Sequence, residues 1–459
     1  MLETLEHLIT ALAAFLWGAP MVVLLVGSGV FFFGLSRLTP LRHLGHALAV
    51  TAGRYDSADA PGDIPHFQAL SSALSGTLGL GNIAGVAVAI QIGGPGAVFW
   101  MWVTALVGTA TKFFTCTLAV MYRGPDSLGR LQGGPMYVIR EGLGARWRWL
   151  AIWFCIAGLF GTLPVFQANQ LTQIMRDGVA APAGYDSVAG LPFDFLFGLV
   201  LALLVATVIF GGITRIGRVA GRLVPMMVLV YLAAVTAILL RHLPELPALL
   251  GLILRDAFTG EAAAGGALGV VILTGVRRGA FSNEAGIGTV RHGLGAARTR
   301  EPVREGLVAM LGPVIDTLLV CTATALAILA TGVWRDTEAT GVSLTAAAFE
   351  SALPGGTWLL AAIVAAFSIS TLLTYWYYGA KCLGFLVGAQ HEGLYRYFYC
   401  LLIVVGAVTS LNLVIGLIDA AYALMAVPTL VSSLLLAPRV MAAARAYFAR
   451  LPDGTGPGV

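Results

Sequence analysis

Two stretches of this chain put polar chemistry where the surrounding residues are apolar. The first is Ser75-Gly76-Thr77-Leu78-Gly79-Leu80-Gly81-Asn82-Ile83-Ala84-Gly85. The second is Gly275-Val276-Arg277-Arg278-Gly279-Ala280-Phe281-Ser282-Asn283-Glu284-Ala285-Gly286. Both contain Asn-x-Ala-Gly, at Asn82–Gly85 and Asn283–Gly286. A glycine-rich polar stretch inside an apolar segment frees backbone amides and carbonyls. Lipid cannot satisfy them, so such a stretch survives only where protein or a water-filled cavity supplies partners. Amides freed at the start of a half-helix suit a carboxylate, whereas freed carbonyls and an Asn amide oxygen suit Na⁺. Two blander readings stand beside this one. Asn82 can serve only as the cap of a second half-helix, and the glycines can be ordinary close-packing faces.

Other polar residues lie within apolar runs. Gln167 follows Phe160–Phe166, and Ser368, Ser370, Thr371 and Thr374 give a row of hydroxyls that can face a helix bundle or bond back to their own preceding turn. Among ionisable residues, Glu284 and Asp316 read as the deep acids, with Arg278 the expected partner of one of them. Arg277 is expected to snorkel or line an access path, and Lys112 to form a structural pair or a snorkelling stem. Residues 70–90 hold no titratable carboxylate, which favours Na⁺ over a proton at the first stretch, with Glu284 as the alternative proton route. None of the 7 histidines forms a His-Glu-x-x-His pattern, and neither Lys112 nor Lys381 follows a phosphate-binding glycine loop. A metalloenzyme or a nucleotide-driven pump is therefore not indicated. A channel would need a continuous polar pore with rings of charge or carbonyls, which suits repeated subunits better. The 5 cysteines all lie in apolar runs without close spacing and read as small buried hydrophobes.

The elements that must hold these residues follow from composition. Of 459 residues, 58% are hydrophobic and 11% charged, and the mean hydropathy is +0.86. A soluble protein carries about 25% charged residues, so this chain belongs in a membrane. Its apolar residues form unbroken runs rather than the alternation of a barrel. Eleven spans are expected near 16–36, 66–92, 96–121, 147–176, 194–211, 218–241, 263–292, 305–333, 357–384, 396–417 and 419–441. The first follows Glu3 and Glu6 without a basic leader and is expected to be a retained helix rather than a signal peptide. Most of the 27 Lys and Arg fall on one side of this pattern, leaving chiefly Arg176, Arg241, Arg255 and Arg335 on the other. The positive-inside rule then puts the N-terminus outside and the C-terminus in the cytoplasm. No long soluble domain is inserted, the Arg450–Val459 tail is expected to be disordered, and a net charge of +4 points to no nucleic acid.

Five span starts separate the two glycine-rich stretches, so the second stands where the first would recur in a five-helix repeat. An odd number of spans inverts the second copy in the membrane. The runs Gly81-Asn82-Ile83-Ala84-Gly85-Val86-Ala87, Gly93-Gly94-Pro95-Gly96-Ala97-Val98-Phe99-Trp100-Met101-Trp102, Gly133-Gly134-Pro135-Met136-Tyr137 and Phe281-Ser282-Asn283-Glu284-Ala285-Gly286 resemble the alanine/glycine:cation symporter family, as do Gln167-Ala168-Asn169 and Ile315-Asp316-Thr317. The resemblance spans roughly residues 16 to 441. It implies an all-α integral membrane protein with a fold like that of the leucine transporter. Residues 1–65 would form a peripheral helix and a cytoplasmic loop, 66–241 and 242–441 two inverted five-helix repeats, and 442–459 a short tail. It further implies symport of Na⁺ with a small neutral, alanine- or glycine-like amino acid across a bacterial-type inner membrane, with no cofactor beyond the coupling ion and no obligate protein partner.

Residue roles follow from this resemblance and from a more distant one, of Gly79-Leu80-Gly81-Asn82 to the neurotransmitter:sodium symporters. Gly79 and the amides of Leu80 and Gly81 would take the substrate carboxylate, and Asn82 and the Leu78 carbonyl would bind Na⁺. Thr77, Gln167, Phe281, Thr371 and Tyr375 would line the substrate, with Tyr375 standing where the family usually has Trp. Ser370 and Thr371 would complete a second Na⁺ site, and Lys112, Arg278, Glu284 and Asp316 would be structural or gating charges. Thr115 stands where the family often has an acid, and Arg291 where it has an uncharged residue, two departures from the pattern.

Overall fold

The computed structural model describes all residues except 1, 56–60, 62–63, 186, 189, 260–267, 296, 336–337 and 452–459. Long helices dominate because, away from water, a backbone must close its hydrogen bonds within its own segment. Six helical stretches are long and apolar enough to cross a membrane: Gly96–Met121, Ala145–Ala183, Arg215–Arg241, Pro302–Thr331, Gly356–Val387 and Leu411–Phe448. Two bent pairs add to these, Thr4–Leu16 with Ala19–Leu35 at 44° and His66–Thr77 with Leu80–Gly93 at 57°. The remaining predicted spans coincide with the shorter helices Phe193–Ile209, Leu268–Asn283 and Tyr395–Val408. The only strands among the described residues are two short hairpins, Gly124–Pro125 with Leu131–Gln132 and Ser187–Val188 with Leu191–Pro192.

Polarity is inverted relative to a soluble protein. Leu229 is 68% exposed on the outside of the bundle, while Asp316, Asp419 and Glu305 are fully buried. The Gly96–Met121 helix runs through the centre, packed against Leu268–Asn283 and Pro302–Pro313. Glycine makes that approach possible. A Cβ at Gly275 would lie 2.4 Å from the Ala97 carbonyl oxygen, and one at Gly279 3.1 Å from Met101 Cα.

Several boundaries differ from the sequence reading. The chain is helical from Leu2, and Leu2–Leu16 lies against Leu411–Phe448, with Trp17 Nε1 donating to the Asp419 carbonyl at 2.8 Å. The last span begins at Leu411, eight residues before the predicted 419, and continues through Phe448. Residues 442–448 of the predicted tail are therefore helix, and the tail beyond 451 lies outside the described residues. The second break also shifts. Gly279 belongs to a continuous helix that ends at Asn283, and the interruption runs from Glu284 to Thr289.

Candidate functional site

The first break forms because the His66–Thr77 helix stops at Leu78 and Gly79 takes an extended conformation. One tight turn, Leu80–Asn82, follows before Ala84–Gly93 resumes the helix. Leu80 and Gly81 open that turn, so their amides have no acceptor within it. The amide of Gly79 donates to Asn82 Oδ1 at 3.0 Å. Gly79 has to be glycine for room, since a Cβ there would lie 2.6 Å from Thr371 Oγ1.

Asn82 links the break to the second half of the chain. Its Nδ2 donates to Asp316 Oδ1 at 2.6 Å and to Ser282 Oγ at 3.1 Å. Ser282 Oγ and Thr317 Oγ1 donate to Asp316 Oδ2 at 2.6 and 2.7 Å. Asp316 reaches this point because Pro313 is followed by a wide helical turn, Val314–Cys321, a distortion often found at functional sites. Asn82, Ser282, Asp316 and Thr317 are all fully buried, so a carboxylate, an amide and two hydroxyls share one dry centre. That oxygen set suits a hard cation. Ser282 and Thr317 were given no role from sequence, although both stand inside the motifs that carried the resemblance.

On the other side of the break, Thr371 Oγ1 donates to the carbonyls of Ser75 and Phe367, each at 3.0 Å. Thr374 Oγ1 donates to Ser75 Oγ at 2.9 Å, and Ser75 Oγ to the Ser370 carbonyl at 2.8 Å. Ser370 Oγ turns back to Phe367 O at 2.9 Å. These hydroxyls therefore bond to their own preceding turn and, through Thr371 and Thr374, across to the first broken helix. Thr77 and Leu78 are buried at the end of that helix, and Thr77 Oγ1 donates to Ala73 O at 3.4 Å.

An apolar wall closes the space beside Gly81. A Cβ at Gly81 would lie 3.2 Å from Phe281 Cδ1, and Phe281 meets Phe166 edge-on at 5.1 Å between ring centroids. Gln167 follows Phe166, and its Oε1 is buried with no hydrogen-bond partner among the described residues. Tyr375 points elsewhere. Its hydroxyl donates to Glu284 Oε1, which also accepts from Tyr422 at 3.1 Å, while Thr289 donates to Oε2. Glu284 opens the second break with φ +54°, a conformation that costs a non-glycine residue about 1–2 kcal/mol. Gly286 and Gly288 continue it at φ +87° and +107°.

The charges are arranged differently from the sequence reading. Arg278 pairs with Asp419, not with Glu284 or Asp316, and Arg277 shares the same carboxylate. Glu284 and Asp316 are also not the only deep acids, for Asp419 and Glu305 are buried as completely. The predicted span 419–441 puts Asp419 at a span edge, whereas the helix starts at Leu411 and buries it. Arg277, Arg278 and Asp419 line one end of a cavity of about 1110 Å³ that also touches Glu6, His7 and Gln91. The Arg278 guanidinium lies 5.0 Å from the Phe281 ring centroid, between that cavity and the first break. Lys112 is buried within electrostatic reach of Asp316 and Glu284.

A broken helix facing a buried oxygen cluster, inside a bundle this apolar, can be compared with known transporters. A crystal structure of MhsT in complex with L-phenylalanine is similar with a TM-score of 0.58, over 84% of this chain and 92% of that one. At 12% identity this likeness shows the fold alone. In sequence, the chain is 39% identical to the sodium/alanine symporter AgcS of Methanococcus maripaludis, over 96% of each chain. It is 38% identical to an uncharacterized transporter of Haemophilus influenzae, over 98% of this chain and 97% of that one. It is 33% identical to the probable sodium/glutamine symporter GlnT of Bacillus subtilis, over 100% of this chain and 94% of that one. The model of the Sodium:alanine symporter family matches residues 2–458. With nearly the whole chain covered and the fold in agreement, this multi-pass membrane protein is a transporter rather than an enzyme and belongs to the sodium:alanine symporter family of sodium-coupled amino acid symporters.

Proposed function

We propose that this protein takes up a small neutral amino acid of the alanine or glycine type, driven by Na⁺ entry through alternating access. One observation carries the reading. The first break, with its unclaimed Leu80 and Gly81 amides, lies between two oxygen-rich groups, Asn82–Ser282–Asp316 on one side and Ser370–Thr371 on the other. In this reading the two amides hold the substrate carboxylate. Asn82, Asp316, Ser282 and the Leu78 carbonyl bind one Na⁺, and Ser370, Thr371 and the end of the His66–Thr77 helix bind a second. Phe281, Phe166 and Gly81 leave room for a short side chain only, and Gln167 Oε1 is an acceptor for the substrate ammonium. Tyr375 acts through Glu284, and the paired Arg278 and Asp419 close the route from the large cavity. The two repeats are 66–241 and 242–441, with the N-terminus outside and the C-terminus in the cytoplasm.

The test is uptake of a panel of labelled amino acids into proteoliposomes with imposed gradients. Saturable alanine and glycine uptake that requires an inward Na⁺ gradient is the expected result. Uptake driven by a proton gradient alone would transfer the coupling to Glu284, and flux that neither saturates nor responds to Na⁺ would overturn the carrier reading.

A further inference from the structure

Among the described residues the deep acids are engaged, Asp256 by the Gly96 amide at 2.7 Å, while Arg291 pairs with no carboxylate. Arg291, in the Val290–Gly295 helix that follows the second break, is among the largest fully buried side chains, with 1% exposure. Its Nη2 donates to Ser433 Oγ and, at 3.4 Å, to the Thr429 carbonyl, both neutral. Nε and Nη1 are buried with no hydrogen-bond partner among the described residues. Glu284 is held by Tyr375, Tyr422 and Thr289, Asp316 by Asn82, Ser282 and Thr317, Glu305 by His66, and Asp419 by Arg277 and Arg278.

A guanidinium does not give up its proton, and an isolated charge out of water is costly enough that buried charges are almost always paired. We propose that Arg291 binds a small monovalent inorganic anion, chloride being the probe, at its free Nε and Nη1. One charge balances one charge. Close packing around Thr429, where a Cβ at Gly288 would lie 2.5 Å from Thr429 Oγ1 and 2.9 Å from Phe154 Cε2, is why the proposal is confined to a monatomic ion. Arg291 lies in the Val290–Gly295 helix directly after the second break and is bonded to the Leu411–Phe448 helix, so an anion there fixes the break against that helix.

The full-length protein in detergent tests this without relying on transport. At constant Na⁺ and ionic strength, replacing gluconate by chloride should raise the melting temperature of the native protein. Arg291→Gln should lose the chloride-dependent rise and Arg291→Lys should retain part of it. Crystals grown in bromide should show anomalous density beside the guanidinium. Equal melting temperatures of the native protein in the two salts, or bromide density only elsewhere, would overturn the proposal. So would stabilisation by alanine that depends on Arg291 but not on chloride, which would assign the site to the substrate carboxylate. If Arg291→Gln does not fold, the native salt comparison and the bromide density still decide.

Discussion

At the residue scale, the candidate site works through atoms with no better partner than each other. Asn82 closes the Gly79 amide with one end and holds Asp316 with the other. Removing a donor from a buried carboxylate costs about 1.5–3 kcal/mol, on the order of a 10–100-fold change in an affinity that depends on it. Asn82→Ala is therefore expected to weaken half-saturation by Na⁺ in that range, with Asp316→Asn worse and Thr371→Ala similar. Transport at varied Na⁺, alongside a check that each variant reaches the membrane, measures this; unchanged Na⁺ dependence would remove that residue from the ion site. Asp419 makes a different prediction. Asp419→Asn leaves Arg277 and Arg278 without their shared carboxylate, and breaking a buried pair in this way costs about 3–5 kcal/mol. Thermal unfolding in detergent should show a large loss of stability. From sequence, Asn82 could be singled out because it interrupts an apolar run, but nothing local indicated that its amide would meet Asp316, 234 residues away.

At the element scale, glycine has two separate jobs here. At Gly286 and Gly288 it permits a backbone with positive φ, while at Gly275 and Gly279 it lets the Leu268–Asn283 helix touch Gly96–Met121. The sequence displays these glycines as one dense cluster within Gly275–Gly286 and does not separate the two roles, whereas in the structure the helix continues to Asn283 and the break starts at Glu284. Gly275→Ala puts a methyl 2.4 Å from a backbone carbonyl that cannot swing away, at an overpacking cost of about 1–3 kcal/mol. Gly34→Ala meets nothing within 4 Å and should leave stability unchanged or raise it by up to about 1 kcal/mol. Melting temperatures of the two variants in one detergent provide the comparison. Equal effects would mean that the Gly275 contact does not hold the two helices at this distance.

For the whole molecule, orientation is the property that every functional statement depends on. The large cavity faces outside only if the N-terminus does. Leu128 is 56% exposed in the loop after the third predicted span and Tyr185 is 59% exposed after the fourth. In a cysteine-free background, Tyr185→Cys should react with a membrane-impermeant maleimide in intact cells. Leu128→Cys should react only after permeabilisation, and the reverse pattern would invert the proposed topology. The background is needed chiefly for Cys400, because the other 4 cysteines are buried.

Sequence by itself determined the solvent, the helical class and the location of the first break, because each is a local consequence of apolar runs and of backbone groups that lipid cannot satisfy. The resemblance of its motifs also identified the family. Only the tertiary structure decided the pairings: Asn82 and Ser282 with Asp316, Thr371 with Gly79, and both Arg277 and Arg278 with Asp419. These contacts join segments more than a hundred residues apart, apart from neighbours such as Ser282 and Asp316. Hydropathy averages over about twenty residues, so it finds the spans but carries no information about which polar atoms will face one another across the bundle.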